Sequence, residues 1–405
     1  MSGLGADYGY LWPLCKNLAT RGHEISIITT EGTQGPSVQT INGIQVNYLE
    51  GSPTSEFLLN TNTRESVLDR LEQLHLEKPF HIVHGVDHTS LYVAQNKASL
   101  EVALAMDVKS TKLDQIFGII GLTEEKVSSY LTTSVAVTSK FLRSFFGDDH
   151  KLLKYADGVF VASLQQQDIL ERYYRVPSRK VHIIPYGIES KQFEATESNP
   201  NLLSDLGFDD ETKVILTISA LTNAQETKNL LSAFERVVIK KPKTALIIVG
   251  DGPKLKELEF FMLNLALGSK VRFVGACTSE QINQYINRCN VYCNLYSRSS
   301  GFEPTVLEAM ANCKTVVASE VGTSSNVIEN GKDGFLIRPT DIPALSRLLL
   351  EVVSDQIDLK SIGIQARQKI LKMFDTRRMV DQTINAYHDI LFMTGKYKKW
   401  SRLNN

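Results

Sequence analysis

Two glutamates bracket the start of an apolar helical run in G-F-E-P-T-V-L-E-A-M-A, residues 301–311. Pro304 suits the first helical position, where its missing N–H leaves nothing unpaired. The amides that open such a helix point outward with the positive end of its dipole, a site ready for a phosphate. Thr305 and Val306 form that turn. Glu308, three residues along, stands where a carboxylate can accept from two vicinal hydroxyls; it equally reads as a dipole partner or a surface residue. A glycine-rich stretch, G-L-G-A-D-Y-G-Y at 3–10, precedes another helical run. There Gly5 would let a diphosphate reach the backbone N–H groups, although a plain turn fits as well. Lys228 offers a cation, or is a solvated first-turn lysine.

These residues must be held by regular elements. In the C-terminal half, β-branched runs at 213–219, 244–249, 271–274, 291–295 and 315–318 alternate with helical periods at 228–240, 254–267, 279–288 and 304–312. That alternation predicts right-handed crossovers and a parallel sheet. V-G-D-G-P at 249–253 places Gly250 and Gly252 in a strand-to-helix turn. The first half repeats the theme less clearly, with a helix over 9–21 and strands over 24–30, 81–86 and 158–162. Between the halves, 195–212 is polar and carries Pro and Gly, a linker by composition.

Three stretches carry a resemblance to family 4 glycosyltransferases, which share the GT-B fold. They are S-R-S-S-G-F-E-P-T-V-L-E-A-M-A (297–311), R-Y-Y-R-V-P-S-R-K-V-H-I-I-P-Y-G-I-E (172–189), and G-L-G-A-D-Y-G-Y through R-G-H-E-I (3–25). The resemblance implies an α/β chain of two Rossmann-like doubly wound domains facing across a cleft. By it, residues 1–195 form the acceptor-side domain, 196–212 a linker and 213–373 the nucleotide-sugar-binding domain. Residues 374–405 form a C-terminal helix packing back toward the N-terminal domain. It further implies transfer of a hexosyl-type sugar from a nucleoside-diphosphate sugar to an acceptor hydroxyl with retention, without a metal or other cofactor. Lys228 would then bind the diphosphate, Glu308 the ribose, and Gly5 and the 303–306 turn the phosphate oxygens. Cys277, after V-R-F-V-G-A, would border the base. The acceptor is left open among glycan, lipid and small molecule.

The sequence also departs from that pattern. Ser300 stands where the family carries the first of two glutamates spaced seven apart, and Ala220 where it carries an arginine. No histidine follows the strand at 103–110, although Asp107 sits in the vicinity. Glu303 and Asp107 are therefore the catalytic candidates. The same departures sustain a second reading, a weakened or inactive homologue acting as a binding or partner subunit. An epimerase or phosphorylase on the same fold is a remoter one, and the latter would need a pyridoxal lysine pocket that the sequence does not show. His84 and His88 read as satisfied loop histidines.

Composition narrows the rest. The 405 residues are 42% hydrophobic and 22% charged, ordinary for a globular protein of two or three domains. A net charge of −1 gives no global field toward nucleic acid. Five irregularly spaced cysteines read as reduced thiols of a cytoplasmic protein, and Cys289 and Cys293 lack companions for a metal site. No apolar run reaches the roughly 18 residues of a membrane span. Residues 140–155 and the tail K-Y-K-K-W-S-R at 396–402 interleave basic and aromatic groups. Each fits either peripheral contact with an anionic membrane or, more plainly, a packed helix and a solvated tail.

Overall fold

The computed structural model describes residues 9–29, 37–49, 61–86, 88–108, 147–193, 199–296 and 304–396. The chain divides into two compact units, one of Met1–Gly187 with Thr376–Asn405 and the other of Ile188–Asp375.

In the first unit, β1 (Ser26–Thr29), β2 (Val38–Ile41) and β3 (Ile44–Tyr48) form a sheet of order β1-β3-β2. β1 runs parallel to β3, and β2 antiparallel to it. Asn42 and Gly43 join β2 to β3 with φ of 52° and 79°, the backbone of a two-residue hairpin turn. A second sheet is fully parallel and in sequence order: β4 (Ile82–Gly85), β5 (Ala103–Asp107), β6 (Gly158–Val161) and β7 (Val181–Ile183). The helices α1 (Leu11–Thr20), α2 (Thr61–Glu77), α3 (Leu91–Leu100), α4 (Asp148–Tyr155) and α5 (Leu164–Tyr173) pack with them. α4 lies within the basic-aromatic stretch at 140–155. Its Leu152 and Leu153 are buried with Leu104, Met106 and Val159, so this part of the stretch is a packed helix.

The second unit holds one six-stranded parallel sheet: β8 (Lys213–Ile218), β9 (Thr244–Val249), β10 (Val271–Gly275), β11 (Val291–Asn294), β12 (Thr315–Ser319) and β13 (Phe335–Ile337). Its order is β10-β9-β8-β11-β12-β13. Winding starts at β8, proceeds outward to β10, then returns to the other side of β8, so the direction reverses between β8 and β11. In a sheet of this kind a ligand crevice opens at the carboxyl ends of the two strands flanking the reversal. Ile215, Leu246, Ile248, Val291, Cys293 and Val317 are buried with Leu230, Phe234 and Leu349 in a single core. Near-continuous apolar strands suit a parallel sheet covered on both faces. The covering helices are α6 (Ala224–Lys240), α7 (Leu255–Asn264), α8 (Ser279–Arg288), α9 (Pro304–Ala311), α10 (Gly322–Val327), α11 (Ile342–Val353) and α12 (Leu359–Met373). The last helix, α13 (Thr376–Met393), belongs to the first unit.

One boundary bears on the site. Periodicity alone starts a helix at 228, but α6 begins at Ala224 because the Asn223 side chain accepts from the Gln225 N–H and caps it. Lys228 is therefore in the second turn, beyond the free amides of the helix start.

Candidate functional site

At the reversal, Thr217, Ile218 and Ser219 from the end of β8 line a small pocket with Glu226, Thr227 and Leu230 of α6, and with Leu295 and Tyr296 just after β11. The chain shapes it through close backbone contact. A Cβ on Gly250 would lie 1.8 Å from the Ser219 carbonyl oxygen, and one on Gly252 would lie 2.0 Å from that of Ala220. Gly250 also has a φ of 127°. The turn after β9 thus seats directly on the turn after β8, which only glycine allows.

Glu308 lies on α9, which follows β11, and is partly buried. Burial pushes its carboxyl up to about 7. Its backbone carbonyl accepts from Asn312, but no hydrogen bond or ion pair engages its carboxyl group among the described residues. An unpartnered carboxyl at this end of a doubly wound sheet suits hydroxyl donors from a ligand. Thr305 opens the same helix, and its Oγ1 accepts from the phenol of fully buried Tyr292 on β11 at 2.8 Å. Val306 is buried in the packing of α9.

Lys228 projects from a face of α6 other than that of Glu226, Thr227 and Leu230. Its Nζ pairs with Glu257 Oε1 at 2.6 Å and lies 5.5 Å from the centroid of the Phe261 ring. Lys254 holds the other oxygen of Glu257 at 3.1 Å. These two lysines keep the exposed Glu257 carboxyl below its usual range. The amine expected at a diphosphate is here ion-paired with a carboxylate of α7.

Cys277 follows β10, between Gly275 with its φ of 77° and a capping box in which Thr278 and Gln281 close the start of α8. Its Sγ faces the Gly275 carbonyl oxygen at 3.7 Å, and partial burial raises the thiol.

In the first unit, Asp107 ends β5 and is buried. It accepts from the Tyr10 phenol and from the Tyr186 phenol, the latter at 3.0 Å. The Tyr10 and Tyr186 rings sit 4.2 Å apart between centroids. His84 Nε2 stands 3.9 Å from Asp107 Oδ2 without a hydrogen-bond partner among the described residues, while its Nδ1 bonds the Tyr387 hydroxyl at 2.7 Å. His84 is not a loop histidine, for it lies on β4, and burial holds its imidazole below the usual range. His88 pairs with Asp149 at 2.5 Å. Asp107 is therefore engaged in a buried phenol-carboxylate cluster that sequence spacing does not reveal.

Thr305, Val306 and Glu308 are brought together on α9. Lys228 and Cys277 belong to other elements of the same unit, and Asp107 to the first unit. Gly5, Ser300 and Glu303 lie outside the described residues. Sequence reasoning missed Ser219, Glu226, Tyr292, Tyr10 and Tyr186. Only the chain order of the strands, once paired, marks the first two. Among the described residues no group of three His, Cys, Asp or Glu side chains gathers as a metal site, and no helix is long and apolar enough to cross a membrane.

Comparison with known proteins identifies this architecture. Residues 9–187 match the glycosyl transferase 4-like domain, and residues 198–369 match the glycosyl transferases group 1. The chain belongs to the family 4 glycosyltransferases of GT-B fold. It is 21% identical to N-acetyl-alpha-D-glucosaminyl L-malate synthase of Bacillus anthracis, over 93% of this chain and 92% of that protein. Its fold matches sucrose-phosphate synthase of Thermosynechococcus elongatus with a TM-score of 0.78 at 19% identity, covering 95% and 93% of the two chains. Anabaena HepE, crystallised with UDP and glucose, matches with a TM-score of 0.70 at 19% identity over 95% and 96%.

Proposed function

We propose that this glycosyltransferase uses a nucleoside-diphosphate sugar and transfers its sugar to an acceptor hydroxyl with retention of anomeric configuration. The observation that carries the donor reading is Glu308: a carboxyl without a partner among the described residues, on the helix that follows β11, beside the reversal of the sheet. Vicinal ribose hydroxyls would donate to it, and the amides of Thr305 and Val306 would face phosphate oxygens. HepE, with the same fold, binds UDP and UDP-glucose, which supports a UDP-sugar donor. Cys277 would border the base, and Gly5 would reach the diphosphate. For Lys228 to neutralise the leaving diphosphate it must exchange Glu257 for phosphate, a displacement an exposed ion pair permits. Glu303 is the sugar contact in this scheme. Asp107 acts in this scheme by holding Tyr10 and Tyr186, whose phenols donate to its two oxygens, rather than as a proton carrier. No cofactor beyond the donor enters.

The reading is tested with purified protein and UDP-sugars. Calorimetry should give saturable binding that Glu308→Gln weakens at least ten-fold. Proton NMR of the products should show transfer or slow hydrolysis releasing the α-anomer from an α-linked donor. Absence of binding to any nucleoside-diphosphate sugar would overturn the donor reading. Binding without turnover across sugar, lipid and small-molecule acceptors would leave a binding subunit.

A further inference from the structure

The amide nitrogen of Asn294 is buried and has no hydrogen-bond partner among the described residues. Asn294 ends β11, one of the two strands that flank the reversal, and is 1% exposed. Opposite it in β12 stands Ala318, whose methyl group accepts nothing. Side chains alternate along a strand, so Asn294 shares a face of the sheet with Tyr292. The Tyr292 phenol on that face reaches Thr305 in the first turn of α9. Asn294 lies two residues, about 7 Å, further toward the carboxyl end. Its carboxamide therefore stands past the first turn of α9, on the side toward which the opening amides of that helix point.

A buried amide without an acceptor costs a fold about 1–3 kcal/mol. Leucine, of similar length, would carry no such penalty, so folding alone gives no reason for an asparagine here. The cations expected at a diphosphate are also committed or missing: Ala220 brings no charge, and Lys228 is ion-paired with Glu257. We infer that Asn294 contacts the ligand, its carboxamide N–H donating to an oxygen of the diphosphate held at the start of α9. A phosphate oxygen is a strong acceptor, and its bond to the amide is charge-assisted. Side-chain amide and helix amides together then supply neutral donors where a cation would otherwise stand. The inference rests on the nucleoside-diphosphate reading and adds to it a further phosphate contact.

The test uses the full chain, with UDP and UDP-glucose as probes. Asn294→Leu should leave the unfolding midpoint of the ligand-free protein at or above that of the parent. By calorimetry it should weaken both ligands about ten- to hundred-fold, the loss of one hydrogen bond to a charged group. Asn294→Ala adds no bulk, should weaken them likewise, and decides the matter if leucine lowers the midpoint. In the variant saturated with UDP, the phosphorus resonances of the ligand should move and its uracil proton resonances stay. Affinity that both variants leave unaltered overturns the inference and leaves the donor reading standing. Uracil resonances that move, or phosphorus resonances that do not, have the same consequence. A parent protein that binds neither probe overturns the UDP-sugar reading itself, and the inference with it.

Discussion

Tyr186 donates its phenolic hydrogen to Asp107 Oδ1 over 3.0 Å, across 79 positions of sequence. Tyr186 precedes Gly187, the last residue of the first unit's main segment, and Tyr10 directly precedes α1. One buried carboxylate therefore fixes both the entry to the first helix and the point where the chain leaves the unit. Hydrogen bonds to a buried charge are worth more than neutral ones, and an orphaned partner is expensive.

Tyr186→Phe should cost about 1–2 kcal/mol of stability by removing one such bond. Asp107→Ala removes the acceptor that both buried phenols share and should cost about 3 kcal/mol or more. In the Asp107→Ala background, Tyr186→Phe should become nearly neutral. Denaturant unfolding of the four proteins in a double-mutant cycle measures this coupling. Additive losses would mean that the two residues act separately.

The position of Glu308 predicts a pH response with a definite sign. Its carboxyl is raised to about 7 by burial, from an ordinary value of 4.5. Its protonated form therefore favours the folded state. That contribution is fully present below pH 4.5 and is lost as pH rises through about 7, up to about 3 kcal/mol in all by proton linkage. Glu308→Gln should flatten the decline in stability over this window. Ribose hydroxyls would favour the ionised carboxylate, so UDP-glucose should bind more tightly at pH 8 than at pH 6, releasing a proton at the lower pH. Calorimetry in buffers of different ionisation enthalpy reads that proton. In Glu308→Gln the pH dependence should vanish.

The alternating runs of the C-terminal half made a parallel sheet legible because its central strands, β8, β9, β11 and β12, are buried along most of their length. Strand order was not legible, for it depends on which neighbours pair, and the pocket at the reversal inherits that blindness. Glu308 was readable from Pro304 and the apolar run behind it. Lys228 was misread as a first-turn residue because periodicity ignores a cap, and Asn223 moves the helix start. Tyr10, Asp107 and Tyr186 meet only through tertiary contact, so no local pattern announces them. The turn at Asn42-Gly43 did carry a local signal, but β2 before it is only four residues long and alternates between exposed and half-buried positions, while β3 after it is largely buried.

Glycine substitutions should separate close approach from mere turn conformation. Gly250→Ala and Gly252→Ala push a methyl group into the backbone of Ser219 and Ala220, which should cost about 3 kcal/mol or more each. Gly275 also has a positive φ, but a Cβ there meets nothing within 4 Å. Gly275→Ala should therefore cost only about 1–2 kcal/mol, the left-handed penalty. Thermal unfolding ranks the three, and donor affinity should fall with the first two alone, since they displace the wall of the pocket.

Tyr292 and Thr305 give the last test. Tyr292 is fully buried on β11, and its hydroxyl spans to the first turn of α9. The helix that carries Glu308 is thus tied at its start to the strand beneath by this hydrogen bond. Tyr292→Phe removes that bond with almost no change in shape and should cost about 1 kcal/mol of stability. Thr305→Val should cost a similar amount, and the double variant about the same as either, because the pair shares one interaction. If the bond holds α9 in register for a ligand, Tyr292→Phe should raise the dissociation constant for UDP-glucose several-fold. Its pH midpoint near that of Glu308 should shift as well, because the carboxyl would then occupy a looser, wetter setting. Unchanged affinity and an unchanged midpoint, with stability lowered, would make the bond a matter of packing alone.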